Sequence, residues 1–313
     1  MIEKELWKSH KQKKDEHRSW RPRKEYYGEM EQFDGSYHLW FEKRYCDKDR
    51  NPMEVCLLVA IDDATGKITK AAFMANEGVY AVFTFWKVYI EKKGKPKIIY
   101  LDKFSTYKIN HKAAVDNFEL MTQFQRAVKD LSFRLISAHS PQAKGRIERL
   151  FKTLQDRLIK ELRLVGINTP EEANKFLEEV FIPKFNKRFA VVPEKKGDLH
   201  KPLTAIDKKN IDRIFSVQSS RTVHNDFTIQ FKNSWYQLTE IQPATIRAKN
   251  KVLVEEWLDG TLHLSIRGKY LSYLLLPDKP KKEKSDPTIL TTHTLNWKPS
   301  PDHPWRKGYK QRT

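Results

Sequence analysis

Residues 140–158 read SPQAKGRIERLFKTLQDRL. Within and just beyond them, Ile147, Leu150, Phe151, Leu154, Leu158 and Leu162 recur at steps of three and four. That spacing gathers the apolar side chains on one stripe and predicts an amphipathic helix over 144–163. Ser140-Pro141 just ahead is a helix start signal. Glu148 follows core-facing Ile147 near the start of this helix, and Lys152 lies one turn beyond Glu148 on the same polar face.

The flanking sequence alternates strand and helix patterns. Residues 55–61 (VCLLVAI) form a continuous apolar run, as a strand covered on both faces does. It ends in the turn residues Asp62-Asp63-Ala64-Thr65-Gly66, and 68–74 follows as a hairpin partner. A helix is predicted over 78–93, and a short buried strand over 97–101 stops at Asp102. Leu120, Phe124, Ala127, Val128 and Leu131 mark a second helical stripe over 118–131, with another strand at 133–137. Thr169 capping and Pro170 at the first helical position start a helix over 170–189. Residues 28–192 are therefore a mixed α/β unit.

The rest of the chain differs in composition. Residues 1–27 are basic and poor in aliphatics, an arm or linker suited to phosphate contact or to solvent. The stretch 193–213 begins with PEKKGDLHKP and reads as a linker. Residues 214–276 carry short strand patterns at 222–231, 235–238, 244–248, 252–257 and 262–266, with Asp259-Gly260 as a hairpin turn. Five strands in so short a span predict a small barrel. Residues 277–313 are basic and proline-rich, the composition of a disordered tail.

Over the whole chain, 313 residues carry 59 Lys and Arg against 40 Asp and Glu, a formal charge of +19. With 39% hydrophobic residues the chain can build a core, so wholesale disorder is excluded. The positive excess points to a polyanionic partner, nucleic acid before an anionic membrane. No run of about 18 apolar residues predicts a membrane span, and the N-terminal residues lack a secretory apolar core. Cys46 and Cys56 are too few for a disulfide scaffold, so a cytoplasmic setting is expected.

Three acids stand out by position: Asp34, where a strand begins in 31–36 (EQFDGS), Asp102 at a strand end, and Glu148 at a helix start. Such carboxylates can meet at one edge of an α/β sheet and hold hard divalent cations. Each one alone is more often a solvated charge. The segment 140–158, however, resembles the stretch carrying the last acid of DDE integrases and transposases. The 31–36 and 100–103 segments are similar to those of the first and second acids. The run from Asp34 through His38, Trp40, Phe41 and Glu42 to 61–65 looks like the ISNCY group of bacterial insertion-sequence transposases.

This resemblance spans roughly 20–275 and implies an α/β RNase H-like integrase core, a mixed sheet flanked by helices. It implies a small all-β SH3-like barrel after the core. By the same resemblance Asp34, Asp102 and Glu148 hold two Mg²⁺ or Mn²⁺ ions. The reactions are cleavage of double-stranded DNA at element ends and joining of the 3′-OH to target DNA, both in-line displacements at phosphorus. Homo-oligomers on DNA and a bacterial, nucleoid-associated location are implied, with no membrane and no small-molecule substrate. Lys144, Arg146, Lys152 and Gln155 are candidate DNA contacts around Glu148, and Arg247, Lys249 and Lys251, with Arg267 and Lys269, a candidate basic rim on the barrel.

Local pattern separates several rival assignments. Asp116 also resembles a second acid, but it opens a helix where Asp102 closes a strand. Asp62 and Asp63 read as turn formers. His10 and His17 with Cys46 and Cys56 have the wrong spacings for tetrahedral zinc. Lys144 and Lys152 read equally as solvated lysines, and His38 and Trp40 as packing residues. Trp235, Tyr236 and Trp257 read as barrel core before base-stacking platforms. About 30 residues precede Asp34, and no recognition helix is predicted among them, whereas the resembled enzymes read their ends with helix-turn-helix units there. Two alternatives therefore stand beside the transposase: a truncated, catalytically silent DNA-binding regulator, and a nuclease without strand transfer.

Overall fold

The computed structural model describes residues 22–102, 117–138, 145–277 and 298–303. Most of the N-terminal arm, Asp116, Lys144 and nearly all of the C-terminal tail lie outside these residues. The chain divides into two compact units. The first takes the residues through Arg221 together with Lys251–Leu271, and the second takes Thr222–Asn250 and the residues from Ser272 on.

The first unit is built on a five-stranded mixed sheet. Its strands are β1 (Met30–His38), β2 (Val55–Asp62), β3 (Ile68–Met74), β4 (Ile98–Asp102) and β5 (Arg134–Ala138), in the order β3-β2-β1-β4-β5. β1 and β3 run antiparallel to β2, whereas β4 runs parallel to both β1 and β5. Every residue of β2 is buried, which is why its sequence is a continuous apolar run rather than an alternation. Successive side chains of β2 serve opposite faces. Cys56, Leu58 and Ala60 enter a core with α1 (Val79–Lys93), α2 (Asn117–Asp130) and the later α6 (Ala205–Ile214). Leu57, Val59 and Ile61 enter a second core with α3 (Gly145–Leu164), α4 (Pro170–Phe176) and α5 (Ile182–Phe189). The mixed sheet flanked by helices thus forms as expected.

Helix α3 buries Ile147, Leu150, Phe151, Leu154, Leu158 and Leu162, the stripe read from its spacing. Each such burial contributes roughly 1.5–3 kcal/mol. The Thr169 hydroxyl caps the next helix by accepting from the Glu172 amide. That helix, predicted as one piece over 170–189, passes through a wide π turn at Leu177–Phe181 between α4 and α5. Pro183 explains the irregularity: it has no N–H to offer the carbonyl four residues back.

The stretch 193–213 runs along the first sheet. Lys195 donates its amide to Glu25, Leu199 donates its amide to Tyr27, and Lys201 exchanges backbone hydrogen bonds with Lys95. Thr204 and Asp207 then form a reciprocal capping box that starts α6.

Residues 214–276 form two sheets. β6 (Val217–Thr222), β9 (Lys251–Glu256), β10 (Leu262–Ile266) and β11 (Lys269–Tyr270) make one, in the order β11-β10-β9-β6. β7 (Thr228–Phe231), β8 (Ser234–Leu238) and β12 (Tyr273–Leu276) make the other, in the order β12-β8-β7, within the second unit. The strand expected over 222–231 is two strands because the Asp226 carboxylate accepts from the amide and hydroxyl of Thr228, closing a turn. The strand expected at 244–248 is absent. There Arg247 donates its amide to Asn250 Oδ1 and Lys249 takes a positive φ of 69°, making a tight turn. The Asp259-Gly260 hairpin is present, with Gly260 at φ 83°.

Candidate active site

Asp34 lies near the middle of β1, opposite Val59 of β2, and is half-buried. It is on the strand face shared with Met30 and Gln32, over which α3 packs. Asp102 is the last residue of β4 and pairs with Ala138 of β5. The last paired positions of β1 and β4 are Gln32 and Tyr100. Asp34 and Asp102 each lie two residues further on, level with one another on neighbouring parallel strands. Glu148 is exposed in the first turn of α3. The core-facing Ile147 between them puts Arg146 and Glu148 on opposite flanks of that turn, since successive helical residues are about 100° apart.

Arg146 is turned inward. Its Nη1 donates to Asp63 Oδ1 at 2.5 Å, and the Asp63 side chain is wholly buried. Asp63 follows β2 and also accepts from Gln32 of β1, so this contact ties the first turn of α3 to the edge where β1 and β2 meet. Lys152 is exposed one turn further along, and Gln155 is half-buried. Lys144 lies outside the described residues. Arg247, Lys249, Lys251, Arg267 and Lys269 are all exposed. Among the described residues no three acidic, histidine or cysteine side chains are grouped as a metal site.

Two acids that local pattern did not single out lie on the opposite face of β1 from Asp34. The Glu77 carboxylate approaches Gly35, next to Asp34, so closely that a Cβ there would fall 2.8 Å from it. Burial pushes the Cys56 thiol far above its ordinary value, and the charges of Glu77 and Asp34 add to that shift. The second acid is Glu31, fully buried on β1. Burial, reinforced by the Asp62 carboxylate, raises its pKa to about 8. Thr69 Oγ1 lies 2.6 Å from its Oε2. Its other oxygen has no hydrogen-bond partner and lies 3.9 Å from His200 Nε2. His200 in turn bonds Asp198 through Nδ1 at 2.6 Å and the Tyr89 hydroxyl through Nε2 at 2.7 Å. No local signal marks this network, because His200 is remote in sequence from Glu31.

Asp62 is the turn former expected. Its carboxylate accepts from the amide and hydroxyl of Thr65 and from the Gly28 amide. Burial raises its pKa against those bonds. Asp63 instead accepts from Gln32 Nε2, Arg146 Nη1 and the Lys24 amide. His38 and Trp40 pack edge to face, with Trp40 against Phe73 and its indole N–H on the Ser36 carbonyl. Trp235, Tyr236 and Trp257 are half-buried rather than core. The Trp257 and His263 rings lie 3.9 Å apart between centroids, tilted by 32°.

The chain is similar to two curated bacterial proteins. It is 37% identical over 268 residues, 86% of its length, to the Sinorhizobium fredii protein named transposase y4bF. It is 32% identical over 297 residues, 93% of its length, to the transposase for insertion sequence IS1202 of Streptococcus pneumoniae. The chain spans 56% and 61% of these relatives' own lengths. No family model matches it. Among solved structures it is similar to a chain of the simian T-cell lymphotropic virus intasome in complex with PP2A regulatory subunit B56 gamma. That match has 16% identity and a TM-score of 0.41, over 82% of each chain. It is also similar to the HTLV-2 integrase catalytic core domain in complex with magnesium, with 17% identity and a TM-score of 0.36. This second match covers 50% of the chain and 89% of the viral domain.

Proposed function

We propose that this chain carries the catalytic part of a DDE-type insertion-sequence transposase, cutting DNA and joining the freed 3′-OH to a target. The observation that carries the reading is its identity to two curated transposases over 86% and 93% of its length. The sheet order β3-β2-β1-β4-β5, an antiparallel run of three strands followed by two parallel ones, supports an RNase H-like core. The short strands after Val217 are read as its SH3-like DNA-binding module.

Asp34, Asp102 and Glu148 are the residues assigned to the chemistry. Two lie on adjacent parallel strands, and the third lies in the first turn of α3. Three carboxylates are a hard-oxygen donor set that suits Mg²⁺ or Mn²⁺. Bound there, two such ions would activate the attacking oxygen and stabilise the leaving one at a phosphodiester. Lys152 and Gln155 on α3 are assigned to the DNA backbone near the scissile phosphate. The +19 charge supplies wider phosphate contact, and Arg247, Lys249 and Lys251 are assigned to it. Two element ends must be held together, so the active form is assigned as a homo-oligomer on DNA.

The test is nicking and strand joining on supercoiled plasmid, with Mg²⁺ or Mn²⁺, by the chain and its Glu148→Gln variant. Activity lost in the variant, with DNA affinity retained, is the expected result. A variant that nicks at the wild-type rate would overturn the assignment of Glu148. Nicking without joined products would reduce the reading to a nuclease.

A further inference from the structure

Asp63 and Arg146 lie at the edge of the candidate site without belonging to its three acids. The Asp63 side chain is wholly buried and Arg146 is 19% exposed, so their 2.5 Å contact is shielded from solvent. The same oxygen of Asp63 accepts from Gln32 Nε2 at 2.5 Å, its other oxygen accepts from the Lys24 amide at 2.9 Å, and its own amide donates to the Met30 carbonyl at 2.9 Å. Arg23 reaches the Asp63 and Ala64 carbonyls from outside. Asp63 is thus tied to β1 before it meets α3.

Gln32 precedes Asp34 by two residues on one strand face, and Arg146 precedes Glu148 by two residues on one helix. One carboxylate therefore joins the strand of the first acid to the first turn of the last. Arg146 also stands where electrostatics disfavour it, since a cation at a helix N-terminus opposes the helix dipole. The buried carboxylate of Asp63 answers both charges, the guanidinium and the positive helix end. A DNA-facing arginine at that place would have no such need to be buried.

We propose that the Asp63–Arg146 pair is a positioning clamp that holds the first turn of α3, and with it Glu148, in register with Asp34 on β1. The inference rests on the transposase reading and extends it to the residues that set the site's geometry. On that reading the three assigned acids would repel one another before cations bind. The clamp keeps the first turn of α3 in place against that repulsion.

Hydrogen exchange tests the clamp independently of any reaction. The amides of residues 149–152 donate to the first-turn carbonyls of α3, so they report fraying of that turn. In the full chain, Arg146→Gln is expected to speed their exchange at least tenfold and to leave residues 156–164 unchanged. Removing one partner of a buried pair can unfold the protein, so the doubly neutral Asp63→Asn, Arg146→Gln chain provides the second variant, with the same expected exchange. In the plasmid assay both are expected to need at least tenfold more Mn²⁺ for half-maximal nicking, with metal-free DNA affinity unchanged. Arg146→Lys is expected to recover part of the loss.

Unchanged exchange at 149–152 in both variants would overturn the clamp. So would a drop in DNA affinity at an unchanged Mn²⁺ requirement, which would make Arg146 a phosphate contact. A wild-type chain inactive in every metal would count against the transposase reading alone, and the exchange result would still decide the clamp.

Discussion

Glu31→Gln is the substitution whose effect the structure sets most directly. Glu31 is fully buried on β1, with Asp62 nearby and one carboxylate oxygen without a hydrogen-bond partner. Thr69, Tyr89, His200 and, at longer range, Lys93 are the other polar groups that bear on it. Burial lifts its pKa from 4.5 to about 8. In that window the folded chain holds a proton that the unfolded chain has released. The stability that Glu31 contributes is therefore greatest below pH 4.5, falls as pH rises from there to about 8, and levels off above. At about 1.4 kcal/mol per pH unit, the full loss comes to roughly 5 kcal/mol. That is comparable with the whole stability of many domains, about 5–15 kcal/mol. Asp62, also raised by burial, adds to the fall in the same direction. Glutamine is neutral at every pH and keeps an oxygen for the Thr69 hydroxyl. The assay is urea unfolding of both chains at intervals from pH 5 to 8.5. Glu31→Gln should match the wild type near pH 5 and exceed it by several kcal/mol near pH 8. Parallel stability curves across the whole range would show that Glu31 does not take up a proton on folding, and would refute the reasoning.

Three further outcomes follow from particular contacts. Leu154→Ala empties a fully enclosed site between α3 and the sheet and should cost about 2–5 kcal/mol in urea unfolding. Gly28 sits at φ 73°, and a Cβ there would fall 2.3 Å from the His200 ring. Gly28→Ala should therefore destabilise by more than about 1 kcal/mol, read in the same assay. DNA affinity should fall steeply between about 50 and 200 mM salt in a filter-binding or anisotropy titration, given the charge of +19. A flat titration would contradict non-specific phosphate contact.

The elements that were legible in the sequence are those whose pattern is local. The unbroken run of β2, the three- and four-residue steps of α3, and Thr169-Pro170 each carry their structural cause within a few residues. The level placement of Asp34 and Asp102 was not legible. It depends on β4 lying beside β1 in parallel, a pairing made across an intervening hairpin and helix. The role of Asp63 was missed for the same reason: its turn-like neighbours describe the chain locally, while Gln32 and Arg146 reach it from elsewhere. Glu31 is the extreme case, since a glutamate in a strand carries no mark of being buried until Thr69, Tyr89 and His200 surround it. In the other direction, the β-rich composition of 222–231 and 244–248 overstated the strands. Asp226 and Asn250 bend the backbone through side-chain hydrogen bonds that propensity does not weigh.

The return of residues 194–201 to the first sheet bears on how the molecule can be dissected. His200 comes from this segment, and it bonds Tyr89 and lies beside Glu31. Ile211, Ile214 and Phe215, which follow, fill the core between α1 and α2. A fragment trimmed at residue 192 would keep all three proposed acids. It would also open a buried carboxylic acid to water and strip three large side chains from the hydrophobic interior. Failure of such a fragment to cut DNA would then report a collapsed scaffold and say nothing about chemistry. A piece judged for the proposed chemistry has to keep the whole first unit, including Lys251–Leu271.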